Sequence, residues 1–91
     1  MESMFDAVRV LENSHSISIM LYIYRNDGCT KGDIYEDVCR YSRMTDKICD
    51  LEEAGLIRIE PQGRAVRLYL TEVGREVGSL LSTIADKMCP A

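Results

Sequence analysis

One stretch of the sequence, residues 42 to 77, limits the possible folds of this chain more than any other. It reads SRMTDKICDLEEAGLIRIEPQGRAVRLYLTEVGREV. In order along the chain it predicts a helix over about 43–54, a stop at Gly55, a strand over 56–60, a turn over 61–64, a strand over 65–70 and a helix capped by Thr71. A helix that runs directly into a two-stranded ribbon predicts an α+β fold that is mostly helical.

The helix over 43–54 has signals at both ends. Ser42 is placed to cap its first amides, and Gly55 can adopt the left-handed conformation that ends a helix. Apolar residues recur inside it at helical spacing, and the buried stripe is predicted to be Met44, Ile48 and Leu51. The outward face then carries Arg43, Asp46, Lys47 and Asp50.

Residues 56–70 alternate between apolar and polar side chains, as expected for two strands with one face on the core. The inward residues are predicted to be Ile57, Ile59, Val66, Leu68 and Leu70. The outward residues are then Arg58, Glu60, Arg67 and Tyr69. At the turn, Gln62 and Gly63 relieve backbone strain and leave Arg64 exposed at the tip.

The apolar segment ISIMLYIY at 17–24 fits a buried strand by periodicity alone, but its flanks favour a helix. Asn13 or Ser14 can cap this helix, and Asp27-Gly28 can end it. Its two apolar stripes are Ile17, Met20, Leu21 and Tyr24 on one face and Ile19 and Ile23 on another. One stripe is expected to meet the core and the other a partner.

A capping box at Thr30-Lys31-Gly32-Asp33 predicts a short helix that ends at about Cys39. Its inward residues are predicted to be Ile34, Tyr35 and Val38. The link Arg40-Tyr41-Ser42 joins this helix to the one over 43–54. The two helices together form a helix-turn-helix pair, in which the first braces the second.

The last helix, over about 72–88, has a coiled-coil-like rhythm of Val73, Val77, Leu80, Ile84 and Met88, widened by Leu81. Gly74 and Gly78 each cost about 0.8 to 1.0 kcal/mol of helix propensity relative to Ala, so they need a packing reason. One explanation is close packing within the chain. The favoured explanation is a homodimer interface formed by Val73, Gly74, Val77, Gly78, Leu80, Leu81 and Ile84, to which Met4, Phe5, Val8 and Leu11 can add.

Size and charge restrict the function. The 91 residues predict one small domain over 1–91 with a modest core. The net charge of −4 is unfavourable for a nucleic-acid-binding protein, but it is unevenly distributed. Residues 1–39 hold three basic and seven acidic groups, residues 40–70 hold six and five, and residues 71–91 hold two and three. The helix and ribbon thus form the only region that is not acidic.

Other classes of function have little support in the sequence. Cysteines stand at 29, 39, 49 and 89 without Cys-x-x-Cys spacing, so they are interpreted as small core or tail residues, with redox sensing as the alternative. No metal site, cofactor or enzymatic activity is indicated, since His15 lies between two serines that cannot form a triad with it. No apolar run spans a membrane and the start lacks a secretory signal, so a cytoplasmic location is expected.

Two segments resemble a known family. LEEAGLI at 51–57 and YLTEVGREV at 69–77 resemble winged helix-turn-helix transcriptional regulators of the MarR and ArsR type, particularly small archaeal ones. NSHSISIMLYIYRNDG at 13–28 resembles their first helix, so the resemblance covers about 13–88. It implies that the helix over 43–54 is the recognition helix, which enters the major groove, and that the ribbon is a wing, which reaches the minor groove. The metal-binding cysteine motif of ArsR-type sensors is missing.

The resemblance implies that double-stranded DNA is the partner. The expected contacts are Ser42, Arg43, Thr45, Asp46 and Lys47 on the helix and Arg58, Arg64 and Arg67 on the wing. Asp46 and Asp50 depart from the basic or neutral character of the family, although Asp46 can accept a hydrogen bond from a cytosine amino group. The sequence favours a homodimeric, sequence-specific regulator, with a repressor preferred. The alternatives are a winged-helix module that binds protein and a redox or small-ligand sensor that switches at the dimer helices.

Overall fold

The computed structural model of the chain describes residues 3–38 and 43–89. The helices are α1 (Met4–Ala7), a 3₁₀ helix (Arg9–Glu12), α2 (Ser16–Arg25), α3 (Lys31–Asp37), α4 (Met44–Glu53) and α5 (Glu72–Met88). The strands are β1 (Cys29–Thr30), β2 (Ile57–Gln62) and β3 (Ala65–Leu70). The predicted mostly helical α+β fold is confirmed.

The sheet has three antiparallel strands in the order β1-β3-β2. The predicted two-stranded wing is present as the β2–β3 hairpin, in which Ile57 pairs with Leu70 and Gln62 with Ala65. Strand β1 was not predicted; its two residues pair with Leu68 and Arg67 of β3. A two-residue strand is too short to show the alternation from which strands are inferred.

Helix α4 ends in a Schellman motif. Gly55 has φ +80°, its amide donates to the Glu52 carbonyl at 2.9 Å, and the Leu56 amide donates to the Leu51 carbonyl at 3.1 Å. Leu51 and Leu56 are both buried, which supplies the apolar contact of this motif. The predicted stop at Gly55 is confirmed. At the other end Arg43 is the N-cap and makes no side-chain cap hydrogen bond; Ser42, the predicted cap, lies outside the described residues, as does the link from Cys39.

Thr71 fastens the start of α5 to the end of α4. Its amide donates to the Leu56 carbonyl at 3.1 Å, and its hydroxyl donates to the Gly55 carbonyl at 2.6 Å. The Gly74 amide in turn donates to the Thr71 hydroxyl at 3.0 Å. The predicted Thr71 cap is confirmed, and we call these three hydrogen bonds the α4–α5 joint.

Gly74 and Gly78 pack inside the chain, which corrects their assignment to a dimer groove. A Cβ on Gly74 would overlap the Leu56 carbonyl oxygen, and a Cβ on Gly78 would come within 2.9 Å of the Tyr24 ring. Both glycines are buried. The two glycines therefore allow α5 to pack closely against Leu56, after the end of α4, and against Tyr24 of α2 in the same chain.

Helix α2 is present as predicted, but its N-terminus differs from the prediction, and the structure shows which of its apolar residues meet the core. His15 is the N-cap in a left-handed conformation with φ +68°, and it makes no side-chain cap hydrogen bond, so the caps predicted at Asn13 or Ser14 are wrong. The core stripe consists of Ile19, Met20 and Ile23, all fully buried. Ile17 and Tyr24 from the other predicted stripe are 43% and 38% exposed.

The capping box of α3 forms as predicted. The Asp33 amide donates to the Thr30 hydroxyl at 3.1 Å, and the Thr30 amide donates to the Asp33 carboxylate at 3.0 Å. Ile34 is fully buried. One apolar cluster joins the helices to the inner face of the sheet and contains Ile19, Met20, Ile23, Cys29, Ile34, Met44, Ile48, Leu51, Leu56, Ile57, Leu68, Leu70 and Leu81.

The contact at Gly74 leads to a test of stability. We expect Gly74→Ala to lower the free energy of unfolding by about 1 to 3 kcal/mol or more, because the methyl group meets backbone and not a movable side chain. Gly32→Ala is the matched control: its Cβ would lie 3.6 Å from the Thr30 hydroxyl oxygen, so we expect a gain of up to about 1 kcal/mol. Urea unfolding measures both, and equal midpoints for the two variants would contradict the packing described here.

Candidate nucleic-acid interface

Helix α4 presents a polar outward face. Its buried side chains are Met44, Ile48 and Leu51, as predicted. Its exposed residues are Thr45, Asp46, Cys49, Asp50, Glu52 and Glu53, with Arg43 exposed just before the helix and Lys47 half-buried. The basic groups lie in the first half of this face, and the carboxylates continue to its end. A polyanion would therefore be attracted to the N-terminal part of α4 and repelled by its C-terminal part.

Asp46 also has a structural role. It lies in the first turn of α4, where the positive end of the helix dipole favours a carboxylate. A side chain in the first turn is close to the amides that have no partner within the helix. Asp46 thus contributes to helix stability whether or not it contacts a ligand.

On the outer face of the wing, Arg58 interacts with two neighbours. Its Nε lies 3.0 Å from the Glu60 carboxylate, and its guanidinium carbon lies 5.2 Å from the centre of the Tyr69 ring. Arg58 and Tyr69 are cross-strand partners in the β2–β3 register. Both members of the ion pair are substantially exposed, at 59% and 42% of their side-chain area, so the pair contributes little to stability and can be exchanged for a phosphate.

Arg67 differs from the other wing arginines because it is held within the chain. Its Nη1 donates to the Gly28 carbonyl at 2.7 Å, and its Nε donates to the Gln62 side-chain oxygen at 3.1 Å. The hydrogen bond to Gly28 is partly buried. Nε and Nη1 are thus already occupied by hydrogen bonds within the chain.

Arg64 lies at the exposed tip of the wing, as predicted. Strand β2 continues to Gln62, past its predicted end at residue 60, while β3 has its predicted bounds, so the turn contains only Gly63 and Arg64. Gly63 has φ +59°, a conformation that glycine adopts at low cost. The short hairpin projects the Arg64 side chain away from the body of the chain.

The face of α5 that points away from the core is apolar. Val73, Leu80, Ile84 and Met88 are 56%, 66%, 51% and 79% exposed. On α1, Met4 and Phe5 are also exposed, at 77% and 74%. Of the seven residues predicted for a dimer interface, Val73, Leu80 and Ile84 lie on this face, which we call the α5 stripe together with Met88. Gly74, Val77, Gly78 and Leu81 lie toward the core.

Proteins of similar fold are found among solved structures. The sequence matches no protein-family model and no curated protein. Among solved structures, AF1382 from Archaeoglobus fulgidus superposes with a TM-score of 0.78 at 22% identity, covering 92% of this chain and 98% of that one. The transcriptional regulator homologue protein from Pyrococcus horikoshii OT3 superposes with a TM-score of 0.71 at 16% identity, covering 99% and 100%.

A third structural neighbour is MepR, a transcription regulator of the Staphylococcus aureus multidrug efflux pump MepA. It superposes with a TM-score of 0.71 at 22% identity and covers 92% of this chain and 68% of its own. A MepR mutant bound to an oligodeoxyribonucleotide also matches, with a TM-score of 0.68. The chain has a winged helix-turn-helix fold. In it α3 and α4 form the helix-turn-helix, and the β2–β3 hairpin is the wing.

The structure also shows contacts of the wing arginines that the sequence did not predict. The sequence predicts Arg58, Arg64 and Arg67 as DNA contacts, with Arg64 at the tip, whereas the structure gives the three side chains different environments. Glu60 and Tyr69 contact Arg58, and neither was predicted to do so. All three side chains were predicted to face outward. A cross-strand register derived from the turn would have paired Arg58 with Tyr69, and the two-residue spacing along β2 places Glu60 on the same face as Arg58.

Two groups outside the wing have shifted pKa values. Burial raises the pKa of the Cys29 thiol to about 11, and a 2.6 Å hydrogen bond to Asp37 raises the pKa of the Tyr22 hydroxyl to about 12. The core interpretation of the cysteines is therefore right for Cys29. It is wrong for Cys49, which is exposed on α4, while Cys89 lies exposed after α5. Cys39 is outside the described residues.

Within residues 3–38 and 43–89, no three His, Cys, Asp or Glu side chains are arranged to hold a metal ion. In the same residues, none of the helices combines the length and apolar character that crossing a bilayer requires.

The cysteine environments predict a pH-dependent stability. The neutral Cys29 thiol is favoured in the folded chain, so its contribution is complete below its ordinary pKa of 9.0 and is lost as pH rises to about 11. We expect Cys29→Ala to lose less stability between these pH values than the unmodified chain. Cys49→Ala, at an exposed position, is expected to keep the full decrease. Thermal unfolding of both variants across this pH range measures the loss of stability. An equal loss in the two variants would contradict the assignment of this loss to the Cys29 thiol.

Proposed function

We propose that this chain is a sequence-specific double-stranded DNA-binding transcription regulator that acts as a homodimer, with repression as the favoured mode. The observation that carries the proposal is the direct connection of α4 to the wing through the Schellman motif, with Arg43 exposed at one end of the surface and Arg64 at the other. In winged-helix proteins this arrangement presents a helix to the major groove and a hairpin to the adjacent groove. The DNA-bound MepR mutant supports the same use of the fold. A DNA ligand also agrees with the cytoplasmic location expected from the sequence.

The contacts divide by their chemistry. Arg43 and Thr45 lie at the start of α4, where a helix inserted by its N-terminus reaches base edges. Arg64 at the tip suits the phosphates or the minor groove, and Arg58 can reach a phosphate by exchanging its ion pair with Glu60. Asp46 can accept a hydrogen bond from a cytosine amino group. Ser42 and Lys47 complete the proposed contact set.

A second candidate function is the binding of a protein partner through the same face. It is favoured by the carboxylates of Asp46, Asp50, Glu52 and Glu53, all exposed on α4. These groups repel a phosphate backbone and suit a basic protein surface. Affinity for duplex DNA at low salt distinguishes the two proposals, because only the DNA-binding function requires it.

Two exposed cysteines allow this test to be made by alkylation. Cys49 is exposed on α4, and Cys89 is exposed beyond the far end of α5. We expect bound duplex, selected from a random pool, to slow alkylation of Cys49 and to leave the alkylation rate of Cys89 unchanged. Affinity should fall with salt concentration with a slope of about −0.9 per phosphate neutralised.

A poly-anion without base pairs, such as heparin, is the control for charge alone. No binding to selected or random duplex at low ionic strength would refute the DNA proposal and leave the protein-partner function as the better one. Binding without protection of Cys49 would show that another face is used.

The homodimer is proposed from the α5 stripe. A stripe of Val73, Leu80, Ile84 and Met88 along a helix this long suits a second copy of the same helix. A two-fold pairing through α5, with α1 beside it, can place two recognition helices about 34 to 36 Å apart, one turn of DNA.

We expect Leu80→Glu to convert the dimer to a monomer, because it places charge in the centre of the apolar stripe. Thr83→Glu is the matched control, since Thr83 is exposed on the same helix outside the stripe. Sedimentation at micromolar protein concentration measures the assembly. An unmodified chain that sediments as a monomer under these conditions would exclude the dimer.

A further inference from the structure

Arg67 lies in the central strand of the sheet and connects both of its neighbours. Its Cα is opposite Thr30 in β1 and opposite Glu60 in β2. The guanidinium donates to Gly28, just before β1, and to Gln62, the last residue of β2. One side chain thus joins the base of the sheet to the end of the wing hairpin.

The base of the sheet needs such a connection because β1 is short. It contributes only two residue pairs to the ladder, extended by the hydrogen bond from the Gly28 amide to the Leu68 carbonyl at 2.9 Å. Gly28 has φ +84°, and its Cα faces the Tyr69 ring, which lies 3.2 Å from the position of a Cβ. The 2.7 Å hydrogen bond from Arg67 to the Gly28 carbonyl is charge-assisted and fixes this turn against β3.

The fork of the guanidinium suits this role. Nε and Nη1 donate in different directions from one rigid plane, which lets a single side chain hold two acceptors on different strands. A lysine ammonium at the same place keeps the charge but not the fork. Within residues 3–38 and 43–89, no such pair of hydrogen bonds holds Arg64 at the exposed tip, so Arg64 offers its charge to a ligand.

We propose that Arg67 is a positioning residue that holds the wing at a fixed angle to the body of the fold, and that it is not a phosphate contact. The proposal deepens the DNA-binding function proposed above and rests on it for its effect on affinity. The wing reaches DNA only if its hairpin keeps its direction, and Arg67 supplies the link between that hairpin and the α2–β1 turn.

The test compares charge-retaining and charge-removing variants at two positions. We expect Arg67→Lys and Arg67→Ala to weaken binding to the selected duplex by a similar factor, roughly fivefold to tenfold, with the salt slope unchanged from that of the unmodified chain. Arg64→Lys is expected to bind nearly as well as the unmodified chain, whereas Arg64→Ala should lower the slope by about one unit. Normal affinity for Arg67→Lys together with a lower slope for Arg67→Ala would overturn the proposal.

A second measurement does not depend on DNA. In the free protein, Arg67→Lys should speed amide hydrogen exchange at 28–30 and 62–66 and leave exchange in α4 unchanged. Unchanged exchange at the two segments would show that Arg67 holds nothing in place, and this outcome also overturns the proposal. If the unmodified chain fails to bind duplex, the DNA function is refuted, and hydrogen exchange still decides whether Arg67 orders the wing.

Discussion

The geometry of this fold depends on the α4–α5 joint. Here the end of α4, the two ends of the wing hairpin and the start of the long helix α5 meet. The Leu56 carbonyl accepts from the Thr71 amide, and the Thr71 hydroxyl links Gly55 to Gly74. Since the backbone at Gly74 touches Leu56 directly, α5 cannot shift without moving the end of α4. The direction of α4 is thus tied mechanically to α5, the helix that carries the α5 stripe.

Electrostatics sets the second constraint. In the proposed DNA-binding function, a chain of net charge −4 approaches duplex only where its cations are concentrated, and the structure reduces the number available. Arg67 is held by Gly28 and Gln62, and Arg58 shares its charge with Glu60. In that proposal Arg43 and Arg64, both exposed, carry most of the attraction. Such a surface favours recognition that depends on correct placement of both ends over strong non-specific binding.

The sequence predicts those features of the fold, chiefly helix ends, that local signals control. The Gly55 stop, the Thr71 cap and the Thr30 capping box each involve residues within a few positions of one another, and all three are present. The orientation of α2 was not predictable in the same way, because both of its stripes are equally apolar and only tertiary packing selects Ile19 and Ile23. Strand β1 is shorter than any periodic signal. The roles of the wing arginines depend on cross-strand register, which strand alternation alone does not supply.

Helix α5 has two faces that differ in how much change they tolerate. At Gly74 the inner face accepts no side chain without rearrangement, because a Cβ there would overlap the Leu56 carbonyl oxygen. Leu80, on the outer face, contacts solvent in the single chain and can change without disturbing the core. In the proposed homodimer, copies of this domain with different outer faces would pair selectively with themselves and keep the same core. The division of α5 into two faces thus separates the choice of partner from the stability of the domain.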